Sequence, residues 1–161
     1  MAAISAADMG IRSCILEAMP KPALKLGISG KGRGNLTNTA DYPQFLRHFN
    51  QQGRFLKFCF KQFFNQDLLD FFHNEGLKTV IERGGRVFTI SGKATDAVRA
   101  LVKAAEKRGV KILTGERASK IVKEDSSFRV FTGSNHSFDG QALLLATGGK
   151  SYPLTGSCGD G

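Results

Sequence analysis

One local pattern restricts the fold more than any other: a helix-forming segment ends at a glycine and leads into a short apolar strand. It occurs over residues 2–17, where Gly10 separates the two parts, and again over residues 97–114, with Gly109 in the same place. A glycine can end a helix in the left-handed conformation without steric cost. The short apolar runs are typical of strands buried in a parallel sheet. The pattern therefore predicts an α/β fold built from β-α-β units, in which the chain begins inside such a unit.

The remaining apolar segments predict further helices and strands. Between residues 42 and 76, phenylalanine and leucine recur mostly at helical separations, which indicates two or three amphipathic helices. Strands are predicted at 79–82, 86–90, 118–122, 128–131 and 142–146. The last of these has no polar residue, so we expect a fully buried strand that stops at Thr147. We also expect the phenylalanines to be buried.

Size and composition exclude several classes of protein. The 161 residues, 41% of them hydrophobic, suffice for one domain. No apolar run reaches the length of a membrane span and no secretion signal is visible, which predicts a soluble, cytoplasmic protein with no membrane partner. The three cysteines are Cys14, Cys59 and Cys158. They are isolated, so neither a disulfide framework nor a metal site is expected.

The charge balance favours an anionic partner. Lys and Arg number 23 against 14 Asp and Glu, a formal net charge of +9, which suits nucleic acid, a phosphorylated cofactor or a membrane surface. The cations are spread from Arg12 to Lys150, and the Phe-rich stretch lacks an RNA-recognition pattern. The sequence therefore does not favour a nucleic-acid-binding module. That interpretation requires one continuous basic face with exposed aromatic side chains.

Two features carry candidate chemistry. Glu17 ends the first strand, where a carboxylate can accept hydrogen bonds from the ribose of a dinucleotide; the alternative is a surface acid. In Ser29-Gly-Lys-Gly-Arg-Gly-Asn35, alternate glycines could let backbone N–H groups converge on an anion, while Lys31 and Arg33 supply charge. A flexible basic turn is the alternative for this loop. The loop does not match the Walker pattern.

Longer motifs point to a family. They are AAISAADMG, RSCILE, LKLGISGKGRGNLTN, GRVF, KATDAVRALVKAAEKRGVKI and LLLATGGKSYPLTGSCGDG. Together they resemble bacterial flavoproteins predicted as NAD(P)/FAD-dependent oxidoreductases, related to aminoacetone oxidase and a bile-acid-processing flavin enzyme. The resemblance covers the whole chain. It implies that residues 1–161 are an incomplete Rossmann-like FAD-binding domain of the two-dinucleotide-binding type, with a helical segment inserted around 42–76. The first strand with its GxGxxG motif and the C-terminal inserted substrate domain would be lacking.

The resemblance also implies a set of FAD-binding residues. Glu17 would bind the adenosine ribose, and the backbone of Ala118 would lie near the adenine. The residues that would line the pyrophosphate and the flavin are Ser29, Gly30, Gly32, Arg33, Gly34, Asn35 and Thr37. Those that would close over the cofactor or contact it near the end of the chain are Thr147, Gly148, Gly149 and Asp160.

The chain departs from the family pattern in two further places. Gly34 stands where a cysteine is usual, and Thr89 replaces the usual proline after GRVF. Both substitutions fall on segments that the resemblance places at or beside the cofactor.

By the same resemblance, hydride would pass from NAD(P)H through FAD to an unidentified small-molecule acceptor. No catalytic residue can be assigned, because the flavin itself carries the hydride. His48, His73 and His136 are interpreted as solvated side chains. A fragment with an incomplete cofactor site is expected to be inactive alone. The alternative is a non-catalytic remnant or half of a split protein that needs a partner chain.

Overall fold

The computed structural model describes residues 1–159 of the chain. Its helices and strands, in chain order, are α1 (Ala2–Asp8), β1 (Cys14–Glu17), α2 (Leu24–Gly27), β2 (Asn35–Asn38), α3 (Tyr42–Arg47), α4 (Gly53–Gln62), α5 (Asn65–Asn74), β3 (Thr79–Glu82), β4 (Arg86–Thr89), α6 (Ala94–Lys107), β5 (Lys111–Thr114), β6 (Ala118–Lys123), β7 (Phe128–Thr132) and β8 (Ser137–Gly140). Short 3-10 turns lie at Asn50–Gln52, Arg83–Gly85 and Pro153–Thr155. The chain divides into two compact units. The first is Met1–Lys25 together with the chain from Val102 onward, and the second is Leu26–Leu101.

Both predicted helix–glycine–strand segments are present, and their strands form a parallel pair. β1 and β5 run side by side, from the Cys14–Lys111 pair to the Glu17–Thr114 pair. Gly10 and Gly109 both take positive φ, at 75° and 76°, as the left-handed helix ending requires. These observations confirm the mixed α/β class and the parallel pairing.

The first unit also contains an antiparallel sheet in the order β6-β7-β8. Strand β8 was not predicted, because Ser137–Gly140 holds only one large apolar residue, Phe138. It is a strand because it pairs with β7 over four residues. Here the tight turn at 133–135 decides the local structure, more than the hydrophobic pattern does.

The prediction of a buried strand at 142–146 is wrong. This segment has no regular structure, and Leu144 and Leu145 are 68% and 63% exposed. Apolar composition favours a strand only where a neighbouring strand can pair with its backbone N–H and C=O groups. Among the described residues, no strand pairs with this segment.

The second unit is built on a sheet in the order β2-β4-β3, in which both pairings are antiparallel. The predicted pair β3–β4 is confirmed, joined by the turn at Arg83–Gly85. Strand β2 lies within residues 20–40, where the content of Pro, Gly, Ser and Asn predicts a loop, so this strand was not predicted. A small core of Phe72, Leu77 and Ala97 is packed by surrounding leucines of the same unit. The three helices α3, α4 and α5 confirm the predicted helical segment.

The expectation that the phenylalanines are buried is wrong for part of the set. Phe72 and Phe88 are each only 3% exposed, but Phe55 is 81% and Phe58 is 74% exposed. Both exposed rings belong to α4, a ten-residue helix that packs on α3 through the rings of Phe60 and Phe45. A short helix can bury only one face, so its other apolar side chains stay in solvent.

No helix within residues 1–159 is both long enough and apolar enough to cross a lipid bilayer.

Candidate functional site

Glu17 lies at the carboxyl end of the parallel pair β1–β5. Its Oε1 accepts a hydrogen bond from the backbone N–H of Met19 at 2.8 Å. Its backbone C=O accepts another from the N–H of Glu116 at 3.0 Å. Oε2 has no hydrogen-bond partner within residues 1–159. The carboxylate is therefore held in place by one oxygen, and the other can accept a hydrogen bond from a ligand.

The loop at 29–34 is a tight turn that hydrogen-bonds to itself. The N–H groups of Gly32 and Gly34 both donate to the C=O of Ser29, at 3.0 Å each, and that of Arg33 donates to Gly30 at 3.1 Å. The sequence suggested that such N–H groups converge on an anion. In the structure these three are committed within the loop, so attraction of an anion here depends on side chains.

Two glycines of this turn are required by close packing. A Cβ on Gly30, whose φ is +57°, would lie 2.8 Å from the backbone N of Asn35. A Cβ on Gly34, at φ +76°, would lie 2.9 Å from Cα of Ala94. Contacts this short are incompatible with a side chain unless the backbone shifts. The Oγ of Ser29 is buried without a hydrogen-bond partner in the described structure, which is unusual for a buried hydroxyl.

Arg33 is paired with an acid that the sequence did not single out. Its NH2 group hydrogen-bonds to Oε1 of Glu82, and its NH1 donates to Oε2 at 3.3 Å. The guanidinium also lies over the ring of Phe88, 4.5 Å from the ring centre. The hydrogen bond from Arg33 lowers the pKa of Glu82, and the same bond raises the pKa of Arg33. Glu82 therefore stays ionised and neutralises much of the charge of Arg33.

The side chain of Thr89 holds the turn at 29–34 in place by hydrogen bonds. Its side chain is almost fully buried, and its Oγ1 lies 3.2 Å from the C=O of Arg33 and 3.1 Å from the N of Lys93, which donates to it. The N–H of Ala94 donates to the C=O of Gly32 at 2.8 Å. A proline at position 89 could make none of these side-chain bonds. Thr89, one of the residues that depart from the family pattern, thus links the turn to the start of α6.

Asn35 and Thr37 begin the pairing of β2 with β4, opposite Phe88 and Val87, across an irregularity in register. Their backbones are therefore part of the sheet of the second unit. Both follow directly from the turn, which places them beside it in the chain.

The segment 147–159 of the first unit contains a short 3-10 turn at Pro153–Thr155 and is otherwise irregular. Gly148 takes φ +77°, and no atom lies within 4 Å of a Cβ placed on Gly148 or Gly149. Further along, Lys150 and Cys158 form an isolated antiparallel bridge, and Lys25 donates to Oγ of Ser151 at 2.6 Å. Asp160, the remaining predicted cofactor residue here, lies outside the described residues.

Ala118 starts β6 and pairs with Thr132 of β7. Beside it is a polar cluster that the sequence analysis missed. Glu116 accepts hydrogen bonds from Oγ1 of Thr132 at 2.6 Å and from the ring of His136 at 2.7 Å. The bond from Thr132, followed by that from His136, lowers the pKa of Glu116. Only the separation of 20 residues between Glu116 and His136 concealed the pair in the sequence.

The predicted residues thus fall into two groups. Glu17, Ala118, Thr147, Gly148 and Gly149 belong to the first unit. The group of the second unit is Ser29, Gly30, Gly32, Arg33, Gly34, Asn35 and Thr37. No cluster of metal-ligating side chains is found among the described residues.

The residues present fit a dinucleotide cofactor in part. A fixed carboxylate with one available oxygen at the carboxyl end of a parallel strand suits the ribose of a dinucleotide. In the glycine turn the side chains of Lys31 and Arg33 suit a phosphorylated ligand, whereas the space beside Gly30 and Gly34 is filled by protein atoms. The N–H groups committed within the turn do not add to that fit.

Comparisons with known proteins agree on the fold. The family model described as the HI0933-like protein Rossmann domain matches residues 1–161. A curated relative is the ribosomal RNA dihydrouridine synthase of Escherichia coli (strain K12), 26% identical over 152 residues, which cover 94% of this chain and 37% of the relative. The chain therefore spans well under half of that protein's length.

A solved structure with a similar fold is the Diels-Alderase PyrE3 of pyrroindomycin biosynthesis. The TM-score is 0.50 at 14% sequence identity, over 86% of this chain and 27% of that one. At this level of identity the likeness concerns the fold alone.

Proposed function

The chain belongs to the HI0933-like Rossmann domain family, whose members are FAD-binding flavoproteins, and from this premise we propose that it is part of an FAD-dependent oxidoreductase. In this proposal, NAD(P)H is the reductant and a small molecule is the acceptor. When bound, FAD would supply a two-electron carrier that takes a hydride from the nicotinamide and delivers it, with a proton from solvent, to the acceptor.

The observation that carries the proposal is the position of Glu17. A carboxylate at the carboxyl end of the parallel strand β1, held by the N–H of Met19, is oriented before any ligand arrives. Its available oxygen would accept a hydrogen bond from the adenosine ribose. Arg33 would attract the pyrophosphate, in exchange for part of its contact with Glu82.

The family match is to a Rossmann domain, and the matched part of this chain covers 37% of the curated relative. We therefore propose that residues 1–161 act as the partial FAD-binding domain, without the GxGxxG strand and the substrate domain, and have no turnover alone. The competing candidate is a non-catalytic remnant or split-protein half that needs a second chain.

A second candidate concerns the acceptor. The relative from Escherichia coli is named for its action on ribosomal RNA and is 26% identical over 94% of this chain. A base in RNA is therefore an alternative to a small molecule as the group that receives the hydride.

The test of cofactor binding compares FAD with riboflavin. FAD would be titrated into the purified chain while its absorbance is followed, and gel filtration would show whether flavin elutes with protein. Glu17→Gln should weaken FAD binding by about tenfold or more, because it removes a hydrogen bond to a charged acceptor. Binding of riboflavin, which has no adenosine, should not change. Glu106→Gln, an exposed acid on α6, is the matched control.

Equal FAD affinity of Glu17→Gln and the unmodified chain would contradict the role of Glu17. If folded protein retains no flavin even at high FAD concentration, the remnant or split-protein candidate replaces the proposal.

A further inference from the structure

The outer face of α4 combines exposed aromatic rings with positive charge. Phe55 and Phe58 are 81% and 74% exposed, and Arg54, Lys57 and Lys61 are exposed on the same helix. Residues three and four apart lie on one side of a helix, which places Arg54, Lys57, Phe58 and Lys61 together. We call Arg54, Phe55, Lys57, Phe58 and Lys61 the α4 face.

The two exposed rings are not needed to hold α4 in place. The inner side of the helix is already filled by Phe60, whose ring lies 5.4 Å from that of Phe45 and 5.7 Å from that of Phe64. Gly53 lets the start of α4 approach α3, since a Cβ there would lie 2.9 Å from the C=O of Leu46. Packing therefore accounts for the inner rings and leaves Phe55 and Phe58 unexplained.

The charge of the α4 face is not neutralised locally. From Tyr42 to Gln66 the sequence contains no Asp or Glu. Within the described residues, Arg54, Lys57 and Lys61 have no ion-pair partner, in contrast to Arg33 and Arg129, which pair with acids. A run of uncompensated cations attracts a polyanion.

We propose that the α4 face binds single-stranded nucleic acid. Bases stack on the exposed rings of Phe55 and Phe58, and phosphates contact Arg54, Lys57 and Lys61. A helix that binds a bilayer segregates its apolar side chains from its cations, so that one face enters the lipid. On α4 the ring of Phe58 instead lies on the same side of the helix as two cations, Arg54 four residues before it and Lys61 three residues after it. This mixed arrangement favours nucleic acid over lipid.

The proposal goes beyond cofactor binding and does not depend on it, because no residue of the α4 face belongs to the proposed FAD site. It also revises the interpretation of the sequence. The nucleic-acid hypothesis required exposed aromatic side chains among basic residues, and the α4 face meets that requirement within one helix.

The experiment measures fluorescence anisotropy of a labelled 12-nucleotide oligo(U) RNA titrated with the full 161-residue chain, first without flavin. For contacts of this kind, the expected dissociation constant at physiological salt lies between about 1 μM and about 100 μM. The affinity should fall with salt with a logarithmic slope of about −2, from three phosphate contacts at roughly 0.7 each. A DNA oligonucleotide of the same length should bind similarly.

Two pairs of variants separate stacking from charge. Phe55→Ala with Phe58→Ala should weaken binding about tenfold or more, while Ile81→Ala with Ile90→Ala, which removes two exposed apolar side chains elsewhere, should have no effect. Lys57→Glu with Lys61→Glu should abolish most binding. Lys103→Glu with Lys107→Glu is the matched control, because it makes the same change in net charge at the same spacing on the exposed surface of α6.

The proposal is overturned if the two lysine pairs weaken binding equally, since the effect would then come from net charge alone. It is also overturned if Phe55→Ala with Phe58→Ala leaves RNA affinity unchanged but prevents binding to vesicles that contain phosphatidylserine, because the face would then be a lipid contact. Circular dichroism of each variant verifies folding. FAD titration of the same variants keeps this result separate from the cofactor proposal.

Discussion

Replacing Gly34 by alanine should destabilise the chain strongly, and the structure supplies the magnitude. The residue has φ +76°, which costs an alanine about 1–2 kcal/mol. The added Cβ would lie 2.9 Å from Cα of Ala94 and 3.2 Å from Cγ2 of Thr89. Overpacking of a fitted interior costs about 1–3 kcal/mol. The sum predicts a loss of about 2–5 kcal/mol in the free energy of unfolding.

Gly32→Ala is the control that isolates the packing component. Gly32 also has positive φ, +81°, but no atom lies within 4 Å of a Cβ placed there. Its replacement should therefore cost only the conformational penalty of about 1–2 kcal/mol.

The measurement is urea unfolding followed by circular dichroism for the unmodified chain and both variants. With a urea m-value of about 1–3 kcal/mol per molar, the midpoint of Gly34→Ala should fall about 1 M below that of Gly32→Ala. Equal midpoints for the two variants would refute the reasoning, because the close contact with Ala94 would then carry no energetic weight.

Three other predictions test the remaining contacts. Thr89→Val keeps the shape of a buried side chain but leaves the carbonyl of Arg33 without its donor, and should lower the free energy of unfolding by about 1–3 kcal/mol in urea titrations. An unchanged midpoint would mean that the hydrogen bond from Thr89 to Arg33 does not stabilise the turn. Because hydrogen bonding lowers the pKa of Glu116 below its ordinary 4.5, its contribution to stability is present above that value and is lost as pH falls through the folded-state pKa. Unfolding curves from pH 6 to 3 should accordingly show a shallower acid loss for Glu116→Gln, and parallel pH profiles would contradict this. Leu145→Gln should change the free energy of unfolding by less than about 0.5 kcal/mol, whereas a loss of several kcal/mol would indicate that residue 145 is buried after all.

The parts of the fold that could be predicted from sequence are those decided by neighbours along the chain. Gly10 and Gly109 end helices by their own backbone freedom, and the strands that follow them are apolar in an unbroken run. For two segments predicted wrongly, the presence or absence of a neighbouring strand decided the structure. Ser137–Gly140 is a strand because β7 lies beside it, and 142–146 is not one because no described strand does.

The candidate site shows the same division. The sequence alone predicts that the Ser29–Asn35 turn needs glycines, because alternate glycines allow the positive φ values seen at Gly30, Gly32 and Gly34. The direction of the N–H groups of this turn could not be predicted from sequence, because it depends on which carbonyl groups accept their hydrogen bonds in the folded turn. The partnership of Arg33 with Glu82 spans 49 residues and depends on the placement of β3 beside β4. No local pattern encodes it.

The contact between positions 34 and 89 has a consequence for how this chain can diverge. A side chain at 34 would press on Thr89, and loss of the Thr89 hydroxyl would release the carbonyl of Arg33, which immediately precedes position 34. Each position therefore sets the room available to the other. Both are also the places where the chain departs from the pattern of the flavoproteins it resembles. Substitutions at 34 and 89 are therefore expected to be epistatic, and a cysteine at 34 also requires a shift at Ala94, because the added Cβ would lie 2.9 Å from the Cα of that residue.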